Sequence, residues 1–119
     1  LPLAGSRSKD VSWIRRDAKE MTDEDWRDPE LRDLGMLIHG DASDEVDELG
    51  RPVQGDTLLL LVNGSARSRY FRLPTLPGAG YWEETLNTAR PTAAPRPLRR
   101  EAATLVADSL ILLTYRSAR

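Results

Sequence analysis

The chain carries one histidine, His39, no cysteine, and three tryptophans, Trp13, Trp26 and Trp82. Any chemistry would have to be built from these and from its carboxylates. A histidine can act as a general base near neutral pH. No serine or cysteine signature stands beside His39, so at the end of an apolar run it reads as structural. Without cysteine there is no disulfide framework, no thiolate metal site and no thiol nucleophile. The stretch from Gly40 to Gly55 holds Asp41, Asp44, Glu45, Asp47 and Glu48, acidic enough to suggest calcium. Its spacing does not follow the EF-hand order of alternating Asp/Asn, a central Gly and a closing Glu. It reads as a solvated connecting loop that holds no metal. A glycosidase needs two carboxylates at a set separation across a sugar bond, and no Asp or Glu here stands in an apolar setting that suits such work. Gly78-Ala79-Gly80 lacks the following Lys-Ser/Thr, or a helix, that a phosphate loop requires. Trp13, Trp26, Tyr81 and Trp82 could form an aromatic platform for sugar rings, while the competing role for such residues is to plug gaps in cores and interfaces. No catalytic residue, metal site or cofactor is therefore expected. Trp13, Trp26 and Trp82 are the candidate sugar-binding residues.

The elements that would position these side chains are short. The apolar run Leu58-Leu59-Leu60-Leu61-Val62-Asn63 is bounded by Gly55-Asp56 and Asn63-Gly64. A run of this length with such edges reads as a buried strand. Asn-Gly tolerates the positive φ angles of a tight reversal, which predicts a hairpin returning through Arg69 to Leu73. Upstream, Asp10 to Ile14 is β-prone and Asp17 to Met21 is a turn. Thr22 is a good N-cap for a brief helix containing Trp26, with Asp25 completing a capping box and Pro29 limiting its length. Leu34 to His39, Tyr81 to Leu86, Ala103 to Ala107 and Ser109 to Tyr115 read as further strands. Pro74 to Gly80 is a connector, and Thr88 to Pro97, with three prolines, is extended loop. The pattern predicts an all-β fold, an antiparallel β-sandwich of about seven to eight short strands with one short helical turn near the N-terminus.

Two of these strands do not alternate. Leu58 to Val62 and Leu110 to Leu113 are apolar at every position, whereas a strand with one wet face alternates. The expectation is that both faces are covered, the outer one by another domain or by the Trp13/Trp26 segment.

Composition excludes some roles. Seventeen basic and nineteen acidic residues nearly cancel, and the basic excess or stripe of a nucleic-acid binder is missing. No apolar run approaches the roughly 18 residues that span a bilayer, so neither nucleic acid nor membrane is an expected partner. At 119 residues the chain is long enough for one core. It begins with Leu, and residues 1–9 show no apolar signal-peptide centre. They read as a flexible lead-in from an upstream domain of a longer protein, with one domain over residues 10–119.

The string from Lys9 to Trp26, KDVSWIRRDAKEMTDEDW, resembles the segment that opens the C-terminal domain of bacterial glycogen debranching enzymes, isoamylase-like members of the α-amylase superfamily. Their pattern is roughly Asp-Val-x-Trp, an Asp-Gly-x-Glu-Met turn, then Asp-Trp. The likeness continues through Leu34 to Gly40, Asp56 to Asn63, Phe71 to Pro74, Trp82, and Ser109 to Leu113. Three positions depart from it: Ala18 stands where the family turn has Gly, Gly64 where Ala is usual, and Asn87-Thr88 where an Asp-Thr pair is usual. The resemblance implies a cytoplasmic parent that hydrolyses α-1,6-glucosidic branch links in glycogen. It implies that the catalytic carboxylates lie in an upstream (β/α)8 barrel of the same chain, and that this β-sandwich packs on that barrel and stabilises it. The alternative is a carbohydrate-binding module that meets glycogen or another α-glucan through its tryptophans.

Overall fold

The computed structural model describes residues 11–40 and 56–117. The lead-in at residues 1–9 and nearly all of the acidic loop expected from Gly40 to Gly55 lie outside the described residues. Eight strands and one helical turn follow in the order β1 (Val11–Ile14), α1 (Asp23–Arg27), β2 (Asp33–Ile38), β3 (Leu58–Asn63), β4 (Arg69–Arg72), β5 (Gly80–Asn87), β6 (Arg96–Leu98), β7 (Ala102–Leu105) and β8 (Ser109–Ser117). They form a six-stranded sheet, β1-β2-β3-β8-β5-β6, faced by the two-stranded sheet β4-β7. Every pairing is antiparallel. The expected all-β sandwich is observed, with layers of unequal width.

Alternation along the strands sets the core. On β3, Leu59 and Leu61 have no exposure, and on β8 Ile111 and Leu113 are equally enclosed. Across the gap, β4 contributes Phe71 and β7 contributes Ala103 and Leu105, with Leu73 beyond β4. Each fully buried side chain of this size stabilises the fold by about 1.5–3 kcal/mol. Trp82 on β5 closes one end of this core, packed edge-to-face on Tyr115 with ring centroids 5.0 Å apart. Gly80 leaves room for that contact, since a Cβ there would lie 2.5 Å from the Tyr115 ring.

The predicted hairpin between β3 and β4 does not form. The two edges of β3 are taken by β2 and β8, and β4 pairs with β7 in the other sheet. Asn63 is not a turn residue but a staple. It is 1% exposed. Its Nδ2 donates to the carbonyls of Arg67 at 2.8 Å and of Leu105 and Val106 at 3.0 Å, two protons shared among three acceptors. Its Oδ1 accepts from Ser65 N at 3.0 Å and Ser65 Oγ at 2.7 Å. Gly64 N donates to Arg32 O at 2.7 Å, and among the described residues neither Asn63 nor Gly64 has the positive φ of a tight hairpin turn. The connection thus crosses between the layers, bonded to the β7–β8 link.

The strand β6 falls within the segment expected to be loop. It pairs with β5 through Trp82↔Leu98, Glu83↔Pro97 and Glu84↔Arg96. Proline cannot donate to a ladder, which confines it to edge strands, and β6 is the sheet's last strand.

Near the N-terminus the expected turn and helix both appear. Ala18 sits at φ 70°, inside a reversal closed by Arg15 N to Lys19 O at 2.8 Å. Thr22 caps α1: Asp25 N donates to Thr22 Oγ1 at 3.2 Å, and Thr22 N donates to Asp25 Oδ2 at 2.7 Å. Arg72 N donates to Arg16 O at 2.8 Å and ties this corner to β4.

Candidate functional site

The register of the six-stranded sheet assembles one surface that no single strand reveals. Trp13 pairs with Met36, Met36 with Leu60, Leu60 with Leu112, and Leu112 with Leu86. Antiparallel partners project to the same side, so these five side chains make a row across β1, β2, β3, β8 and β5. At about 4.8 Å per strand the row is roughly 19 Å long. Val11, Ile38 and Leu58 form a second row, and Leu34, Val62 and Leu110 a third. All point away from the core. Most are half-buried, and Trp13 and Leu86 are exposed, at 37% and 46%. Among the described residues no second layer covers this face, and the expectation of cover on both sides is met on the inner side alone. Of the Trp13/Trp26 segment, Trp13 belongs to the face itself and Trp26 meets it at the β1 end. Trp26, 47% exposed, meets the Trp13 ring edge-on at 5.7 Å and 78°. At one corner the face ends in charge, where Arg116 donates to Glu83 Oε1 at 3.0 Å and lies 3.8 Å from Asp56.

The expected aromatic sites are thereby separated. Trp13 and Trp26 stand together on the outer side. Trp82 is 5% exposed, with its indole Nε1 donating to Pro74 O at 3.1 Å. It is a core residue, and only its edge reaches the small cleft it lines with Tyr81, Leu98 and Tyr115. Tyr81 is 39% exposed.

Two polar clefts lie elsewhere. The first, about 510 Å³, runs between the β1–α1 corner and β4 and is lined by Arg15, Asp17, Asp25, Asp33, Tyr70 and Arg72 among others. Its charges are largely matched. The Arg15 guanidinium bonds Asp17 at 2.6 Å and holds that carboxyl below the usual range. Asp25 is likewise lowered, chiefly by the Thr22 backbone N–H it accepts. Asp33 lies 3.4 Å from both Arg16 and Arg69. Matched pairs of this kind fix a corner of the fold. The second cleft, about 670 Å³, opens between the sheets beside β6. On its floor is Glu84, a carboxylate only 5% exposed.

Neither cleft holds a nucleophile with its base. Ser12 Oγ and His39 Nε2 are 3.5 Å apart, too long for a working hydrogen bond, and no carboxylate orients the imidazole among the described residues. Groups of three or more His, Asp or Glu placed to hold a metal ion are also absent among the described residues. No described helix is long and apolar enough to cross a membrane.

Sequence reasoning missed the register-built row and Glu84. The row needed the pairing of strands far apart in the chain. Glu84 did leave a signal, since it stands two residues from Trp82 and so shares its face of β5.

No family model matches the chain. It is similar to proteins described as glycogen operon protein GlgX homologs from Mycobacterium bovis and Mycobacterium tuberculosis, at 30% identity over 88 residues. The match takes in 74% of this chain and 12% of the relatives' length. The relationship is distant, and the chain spans about an eighth of the curated relatives it matches.

Proposed function

We propose that this chain is a non-catalytic β-sandwich domain of a glycogen-debranching hydrolase, and that it packs the outer face of its six-stranded sheet against the larger, catalytic part of that enzyme. The observation that carries the reading is the five-strand row Trp13, Met36, Leu60, Leu112 and Leu86. A solvated sheet face has polar residues at such positions. Contiguous apolar surface of this kind marks an interaction site on a folded protein. The similarity to a glycogen operon protein, over a small part of its length, supports the choice of enzyme. The partner is the catalytic (β/α)8 barrel expected upstream in the same protein, and the setting is the cytoplasm.

Trp13 and Trp26 go with the docking face in this reading. Their rings are at 78°, so they do not offer the flat, continuous platform that successive sugar rings stack on. They extend the apolar row at its β1 end.

The reading is tested on the 119-residue chain by binding of a hydrophobic dye and by sedimentation as a function of concentration. The expected result is dye binding and concentration-dependent self-association, both reduced in Leu60→Lys and Leu112→Lys with the fold retained. A chain that binds no dye and stays monomeric at every concentration would overturn it.

A further inference from the structure

The two sheets end in four outer strands, β1 and β6 in the larger and β4 and β7 in the smaller. An open strand edge presents unpaired N–H and C=O groups, and folded proteins protect such edges. Three of the four are protected here. Beyond β1 lies the chain's own turn, with Ile14 bridged to Glu20 and Met21 N donating to Trp13 O at 2.9 Å. β6 carries Pro97, which has no N–H to present. Beyond β4, Arg72 N donates to Arg16 O at 2.8 Å.

β7 has no such guard. Its sequence, Ala102-Ala103-Thr104-Leu105, holds neither proline nor charge. The register tells which of its backbone groups face outward. Leu73 N donates to Glu101 O at 2.8 Å, and in an antiparallel ladder bonded and unbonded pairs alternate. Phe71↔Ala103 and Arg69↔Leu105 are then the bonded pairs, and Ala102 and Thr104 turn their N–H and C=O groups away from β4. Arg72, opposite Ala102, follows the same parity when it reaches outward to Arg16. Among the described residues no hydrogen bond takes up the outward groups of Ala102 and Thr104. Both residues line the cleft of about 670 Å³, whose floor includes Glu84 and Ile111 of the larger sheet. A strand laid along β7 would widen the smaller sheet and cover part of the inner face that two strands leave open.

Charge narrows the choice of occupant. Glu84 is matched, lying 3.4 Å from Arg96 and 3.7 Å from Arg90. Arg99 and Arg100, in the turn from β6 to β7, line the same cleft, and Arg72 stands opposite Ala102 in register. All three are exposed, and among the described residues none of them is in an ion pair. Glu101, next in sequence, sets one carboxylate against three guanidiniums. The Ala102 end of the edge is therefore positive. It attracts Asp and Glu and repels a basic segment.

We propose that the β7 edge docks an extended, acidic segment of a partner protein, added as a further strand to β4–β7 with its carboxylates beside Arg99 and Arg100. Main-chain hydrogen bonds to Ala102 and Thr104 would hold it, as in other cases of strand addition. The test is selection from a displayed library of random octapeptides against the 119-residue chain. The expected result is enrichment of peptides with an excess of Asp and Glu, whose binding slows hydrogen exchange at the Ala102 and Thr104 amides. Thr104→Pro removes an outward donor without touching the β4–β7 ladder, and is expected to weaken binding about tenfold. Thr104→Val keeps the N–H and is expected to change nothing. Arg99→Glu combined with Arg100→Glu is expected to weaken binding about tenfold, and added salt to weaken it in the parent chain. If the proline unfolds the chain, the exchange map and the arginine pair decide the question by themselves. No enriched peptide, enriched peptides without an acidic excess, or binding undiminished in a folded Thr104→Pro would overturn the proposal. So would self-association of the free chain that Thr104→Pro abolishes, since the occupant would then be a second copy. Leu60→Lys, on the opposite face of the larger sheet, is expected to leave peptide binding unchanged, so this proposal and the docking of the apolar face fail separately.

Discussion

Leu60 and Leu61 are adjacent on β3, identical in chemistry and equally placed between β2 and β8. Leu61 has no exposure, enclosed in the cluster with Phe71, Leu105 and Ile111. Leu60 faces the other way, half-buried among neighbours of its own sheet with no described layer above it. The same contrast holds on β8 between Leu113 and Leu112. One face of the sheet has the cover that its composition calls for, and the other has the composition without the cover among the described residues. Hydrophobic stabilisation follows area removed from water, so the two faces contribute unequally to the stability of this chain. In the reading proposed above, the second face is kept apolar to meet the rest of the enzyme.

The comparison is broken or sharpened first by truncating one leucine on each side. Leu61→Ala is expected to cost about 3–5 kcal/mol, since it leaves a cavity in a closed core. Leu60→Ala is expected to cost less than about 1 kcal/mol, having little enclosed volume to lose. Denaturant unfolding of the two variants measures the difference, and equal losses would mean that the outer face is already covered. Next in size is Asn63→Ala, which removes the staple between the layers and takes the amide donor from the Leu105 carbonyl, while the Val106 carbonyl keeps Ser109 Oγ at 2.7 Å. Its expected cost is about 2–3 kcal/mol, read in the same way. A loss near zero would show that water replaces the amide and that the crossing is held by packing alone. The smallest effect is expected at Ala18. Its φ of 70° lies in the left-handed region, which is strained for any residue with a Cβ. Ala18→Gly removes that strain at some cost in unfolded-state entropy, for a net gain of about 0.5–1 kcal/mol. A thermal melt detects it. A decrease instead would mean that the alanine methyl, half-buried in the turn, makes contacts worth more than the strain.

Local chemistry carried much of the architecture. Thr22 and Asp25 specify the start of α1 through their own side chains, and the capping box forms as the spacing requires. Turn residues and apolar runs marked most of the strands to within a residue or two, because pleating and the need to bury one face act over short stretches. The odd turn at Ala18 was visible as a departure from a family pattern that prefers glycine. The edge strand β6 was hidden by Pro97, since a proline that argues against a central strand is silent about an edge.

By itself, then, the sequence determined an antiparallel β-sandwich with one capped helical turn and two strands that are apolar at every position over their central stretch. These follow from periodicity and capping, which neighbouring residues settle among themselves. Which strands pair was decided only in three dimensions. Asn63-Gly64 is as good a hairpin turn as local rules can ask for, yet β3 gives both its edges to β2 and β8, and the Asn63 amide bonds a link some forty residues further along the chain. That choice of partners aligns five strands into one apolar row and leaves Glu84 on the floor of an open cleft. Both sites depend on residues far apart in the chain, and only the closing of the sheet brings such residues side by side.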